Sequence, residues 1–163
     1  MQLFIQPLLV AILLTAATSF LAKPLPQSPP NIGVTAGLSS DKVQRGRTVQ
    51  ATVVMDIPSG FHVNSNRPLE KFLIATQLKI NVPKGVRVSA VSYPRAVLRT
   101  FKFSKNRVSV YEGRATMRFN VTVPASFPSG TSEMKAHLRY QSCNDEVCFP
   151  PQSRDVSLWL KVQ

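Results

Sequence analysis

Cysteine is scarce in this chain: 163 residues hold only two. Two thiols make one bridge or one dithiol, so a disulfide-dense scaffold is excluded. Histidine is as rare, with His62 and His137 alone, and a metal site on the cysteines lacks two further ligands at metal-site spacing. Neither histidine lies in a recognisable Ser/His/Asp nucleophile motif. The 7 glycines form no phosphate-cradling loop. Together with 13 prolines they stay at background level, which excludes collagen-like and low-complexity readings. Acidic residues are few, 8 against 20 Lys and Arg, for a formal net charge of +12. Long apolar runs are missing after the N-terminal segment, so no later stretch is expected to cross a membrane. What is present is 44% hydrophobic and 17% charged residues, enough apolar material for one core and too little charge for a wholly disordered chain. No repeat recurs at a fixed period.

Residues 1–22 carry no charged side chain before Lys23, and an apolar run over 8–14 gives way to small residues at Thr15, Ala16, Ala17, Thr18 and Ser19. This pattern reads as a secretory signal peptide, with an uncleaved N-terminal anchor as the alternative. Export places both cysteines in an oxidising compartment. Residues 23–33 begin KPLPQSPPNI, with four prolines, and read as a linker. The domain proper is then 34–163.

From there the chain alternates. Val49, Ala51, Val53 and Met55 share one parity. So do Met117, Phe119, Val121 and Val123; Met134, Ala136, Leu138 and Tyr140; and Val156, Leu158, Leu160 and Val162. Period two sends alternate side chains to opposite faces, here one apolar and one polar or basic. Short strands of this kind between Pro58-Ser59-Gly60, Pro83-Lys84-Gly85 and Pro128-Ser129-Gly130 turns predict an all-β antiparallel sandwich. TQLKINV and VRVSAVSY are further candidate strands, and residues 68–75 are a candidate helical turn. The basic side chains recur at every second position without forming a run. They read as a solvated face, attractive to anionic membrane surfaces or acidic protein partners, and not as a nucleic-acid site.

The chemistry concentrates in YQSCNDEVCFPP, where four residues separate Cys143 from Cys148 between two strands. A turn there can bring their α-carbons within the roughly 4.4–6.8 Å that a bridge needs. Closing so short a loop stabilises by only about 2 kcal/mol. Spacing alone leaves a structural bridge, a redox couple and a metal site open. A non-enzymatic immunoglobulin-like binding module with a structural disulfide is the alternative to exchange chemistry. A copper or zinc chaperone is a third reading. Phe149 is expected either to cover a sulfur or to pack, and Trp159 to stand opposite the apolar row of the last strand.

The same segment, with Gly60-Phe61-His62-Val63-Asn64, Pro83-Lys84-Gly85-Val86 and Val110-Tyr111-Glu112-Gly113 upstream, resembles the N-terminal periplasmic domain of the thiol:disulfide interchange protein family DsbD. The resemblance runs from about residue 34 to the end. It implies an immunoglobulin-like sandwich that exchanges electrons with thioredoxin-fold proteins and uses no cofactor or metal. It implies that Cys148 forms the mixed disulfide and Cys143 resolves it. It also implies an aromatic cap loop within residues 98–104, with Phe101 or Phe103 as the cap. Some members have five residues between the cysteines where this chain has four. Where such members supply tyrosines, this chain has His62 and Asn64, which makes His62 a candidate for proton handling. The membrane electron donor is expected to come from another chain.

Overall fold

The computed structural model describes residues 28–163; the signal-peptide reading and the first five residues of the linker reading, 23–27, lie outside them. Twelve strands make three four-stranded sheets, with no helix among the described residues. The first sheet joins β1 (Gly33–Leu38), β3 (Thr48–Asp56), β9 (Arg114–Thr122) and β6 (Arg87–Val88) in that order. The second joins β2 (Lys42–Val43), β12 (Gln152–Val162), β10 (Gly130–Tyr140) and β5 (Gln77–Asn81). The third joins β11 (Ser142–Cys143), β4 (His62–Asn64), β8 (Val108–Tyr111) and β7 (Val97–Arg99). All pairings are antiparallel except β2 on β12.

Alternation along the strands builds the sandwich. Val53, Met55, Met117 and Val121 from the first sheet and Met134, Leu138 and Leu160 from the second are buried in one cluster. Ladder partners such as Val53 with Met117 keep the apolar parities of β3 and β9 on the same face. The intervening Thr52, Arg118 and Asn120 face outward, so the basic face is solvated as the pattern requires. The fold is an antiparallel β-sandwich, as the alternation predicts, and immunoglobulin-like, as the resemblance implies.

Three local expectations change. Ile32, assigned from sequence to the linker, is 2% exposed and belongs to the core, because β1 starts one residue later and carries it in. VRVSAVSY forms only the two-residue β6 and a bridge between Ser92 and Arg118. There Ser89 Oγ accepts the Asn120 N–H in place of a backbone carbonyl, which interrupts the ladder. Residues 68–75 make one turn, Leu73 N–H to Glu70 O, and go no further. Gln141 Oε1 captures the next amide, that of Ile74, at 2.9 Å.

Candidate functional site

The third sheet forms the site. β11 leaves the long strand β10 after Tyr140 and pairs with β4, so that Ser142 faces Val63 and Cys143 faces His62. The chain then reverses. Asn144 Oδ1 accepts the amides of Glu146 and Val147 at 2.9 and 2.8 Å, and Asn144 N–H reaches Val147 O. This side-chain-closed turn is why four residues suffice between the cysteines. Cys148 returns opposite Cys143 as a bridge partner, with α-carbons 4.0 Å apart, and the two are joined by a disulfide. Cys143 is fully buried, whereas Cys148 is half-buried.

His62 is buried beneath the aromatic loop that joins β7 to β8. The Phe101 ring stacks on its imidazole at 3.8 Å, and Phe103 stacks on Phe101 at 5.3 Å. Phe101, Phe103 and Cys148 all pack against a small cluster of Leu73, Val108 and Val110, separate from the main core. The loop is tied to the inter-cysteine turn at one residue: Lys102 N–H donates to Asp145 O, and Lys102 Nζ meets Glu146 Oε1 at 3.1 Å. Arg99 forms a two-pronged ion pair with Glu112 at the loop's base.

Burial pushes the His62 imidazole down to about 4, against the opposing pull of Glu112 and Asp145. It is therefore neutral at pH 7, and its buried Nε2 has no hydrogen-bond partner among the described residues. A depression of about 470 Å³ opens beside it, lined by Gly60, Phe61, Phe101, Glu112 and Asp145. A part-buried amide network ties β4 to the chain on either side of the cysteines. Gln141 Oε1 accepts Asn64 Nδ2 at 2.9 Å, and Gln141 Nε2 donates to Phe149 O, next to Cys148.

Residues 37–159, three-quarters of the chain, match the family described as thiol:disulfide interchange protein DsbD, N-terminal. The chain belongs to this DsbD N-terminal family. Among solved structures it is similar to the DsbD N-terminal domain of Neisseria meningitidis in its reduced form, at 18% identity, covering 68% of this chain and 77% of that one with a TM-score of 0.45. It is also similar to the N-terminal periplasmic domain of ScsB from Proteus mirabilis, at 15% identity, covering 80% of this chain and 45% of that one with a TM-score of 0.49. No curated protein matches the sequence.

Within this DsbD-type domain, His62, Phe101, Phe103 and the two cysteines converge on one end of the sandwich. His137 does not join them: it sits on β10 and pairs with Asp155 across the ladder. Arg139 lies between Gln77 and Ser153 in the second sheet, away from the sulfurs' own sheet. Phe149 is buried, with its ring tilted against Phe61. Trp159 is 56% exposed on β12. Sequence reasoning missed Asn144 and Gln141. An Asn opening a short reversal is a legible turn signal, whereas no local pattern marks Gln141, whose partners at Asn64 and Ile74 lie some seventy residues away.

Proposed function

We propose that the chain is an exported thiol:disulfide exchange domain that passes electron pairs between thioredoxin-fold proteins and a membrane electron donor on another chain. Family membership and the Cys143 to Cys148 disulfide support exchange chemistry. The observation that carries the assignment of roles is the unequal exposure of the two sulfur residues, Cys148 half-buried and Cys143 enclosed.

In the reduced domain, the Cys148 thiolate attacks one sulfur of a partner's disulfide. A bond forms between Cys148 Sγ and that sulfur, and the partner's second sulfur leaves as a thiolate and takes up a proton. Cys143 loses its proton and attacks Cys148 Sγ. The mixed disulfide breaks, the partner departs as a dithiol, and the domain holds the bridge seen here. Two electrons and two protons have moved. The external donor reverses these steps on the domain.

Phe101 and Phe103 serve as the cap in this reading, since both pack with Cys148 on the same small cluster. His62 acts as a neutral imidazole. With its pKa pushed down to about 4, it keeps one ring N–H, takes up no second proton at pH 7, and can offer that N–H or its lone pair to the Cys143 sulfur across the strand pair.

Cys143→Ala tests the reading. It removes the resolving sulfur, so thioredoxin-fold partners should accumulate as covalent adducts on Cys148. No adduct with any thioredoxin-fold protein counts against exchange. The enclosed Cys143 favours a second reading, a structural bridge in a binding module. A reduction potential below about −300 mV would support it.

A further inference from the structure

The reactive sulfurs need a surface on which a partner can rest, and the segments around Cys148 expose one. We infer that Leu69, Phe72 and Val147, rimmed by Lys71, Lys105 and Arg107, form the docking surface for a thioredoxin-fold protein whose own reactive face is apolar and edged with carboxylates. This rests on the exchange reading and adds the partner's recognition chemistry to it.

Large exposed apolar side chains number five among the described residues: Leu69 61%, Phe72 61%, Leu98 40%, Val147 44% and Trp159 56%. Four of them lie on segments that meet at the third sheet, and Trp159 alone is elsewhere, on β12. Val147 directly precedes Cys148. Leu69 and Phe72 precede Leu73, which turns inward to pack with Val108 and Val110 in the cluster that Cys148 and the aromatic loop join. The segment is held in place and does not fold its apolar tips away. Asn106 Nδ2 donates to Glu70 Oε1 at 2.6 Å, Ile74 N–H to Gln141 Oε1, and Asn66 N–H to the Tyr111 hydroxyl. Apolar groups kept in water next to a reactive sulfur are the pattern of an interface.

Charge selects the partner. Arg99 and Lys102 are neutralised by Glu112 and Glu146. Arg67, Lys71, Lys105 and Arg107 are exposed and have no ion pair among the described residues. The carboxylates Glu112 and Asp145 line the depression at His62, Glu146 is paired with Lys102, and Glu70, between Leu69 and Lys71, accepts a hydrogen bond from Asn106 Nδ2. Around Leu69 and Phe72 the four exposed cations Arg67, Lys71, Lys105 and Arg107 outnumber the single carboxylate Glu70. A partner with carboxylates around an apolar centre gains steering and a fixed orientation there.

The test compares two oxidants of the reduced full chain by stopped flow. One is an oxidised thioredoxin of net negative charge; the other is 2,2′-dithiodipyridine, neutral and too small to need a docking surface. In Leu69→Ser/Phe72→Ser, the ratio of the thioredoxin rate to the dithiodipyridine rate should fall at least about tenfold. In Lys71→Glu/Arg107→Glu, which spares the apolar tips, the thioredoxin rate should fall and its decrease with added salt should vanish. Trp159→Ser should retain the wild-type ratio. Unchanged ratios in both double variants, with brisk wild-type exchange, overturn the docking surface and leave the exchange reading standing. The same holds if those variants instead lose self-association or binding to anionic phospholipid vesicles. A wild type that reacts with dithiodipyridine and never with thioredoxin overturns both.

Discussion

Cys143 and His62 face each other across the β11–β4 ladder, so the enclosed sulfur residue has a buried, neutral imidazole as its cross-strand neighbour. Phe101 closes the other side of that imidazole. The disulfide end of the sandwich is thus a layered arrangement of bridge, imidazole and phenyl rings over a small apolar cluster.

Acid should weaken the fold through His62. Its folded-state pKa of about 4 lies below the ordinary 6.5, so the unfolded chain takes up the proton first as pH falls. The contribution is fully present above pH 6.5, declines between 6.5 and 4, and is lost below that. The shift corresponds to about 3 kcal/mol. Urea unfolding at pH 7, 5.5 and 4 should show the decline in the wild type and a much flatter profile in His62→Phe. Equal slopes in both proteins would refute the assignment.

Phe101→Ala should uncover the bridge. It removes the ring on His62 and part of the cover over the cluster that Cys148 joins. Reduction by dithiothreitol should quicken several-fold, with a stability loss of about 1–2 kcal/mol for a half-buried aromatic. A reduction rate equal to the wild type's would show that the ring does not shield the sulfurs.

Asn144→Ala should loosen the turn between the cysteines. Two amides, those of Glu146 and Val147, lose their shared acceptor. Both residues are exposed, so water replaces it and the cost is about 1 kcal/mol. Because the dithiol is then less preorganised for closure, the reduction potential should rise by roughly 20 mV, given 30 mV per 1.4 kcal/mol. An unaltered potential against a glutathione buffer would place the preorganisation elsewhere.

Tyr111→Phe should detach the segment that carries Leu69 and Phe72. The hydroxyl donates to Asn66 Oδ1 at 2.7 Å and accepts Asn66 N–H at 3.1 Å. Burial pushes this phenol's pKa up, so it stays a donor across the neutral range. A loss of about 1–2 kcal/mol is expected by thermal or urea unfolding. Amide exchange should quicken at residues 66–68, and unchanged protection there would contradict the role of this contact.

Period-two alternation made β3, β9, β10 and β12 legible, and with them the core: Met55, Met117, Leu138 and Leu160 are buried as their parity requires. It failed at VRVSAVSY, where the intrinsic strand pattern is real but Ser89 takes over the ladder bond. The aromatic loop was ambiguous for a related reason. Phe101 and Phe103 share a parity that fits a core strand as well as a cap. The structure makes that stretch a loop, and the two rings stack on the same side of it.

The sequence alone determined that this is a β-sandwich with one close cysteine pair, because strand periodicity and a five-residue separation are local properties of the chain. Only the tertiary structure decided what surrounds the sulfurs. His62, Phe101, Gln141 and Leu69 come from four segments that no local pattern joins. They meet because β11 turns away from β10 and pairs with β4, and side-chain packing across that third sheet is a long-range choice.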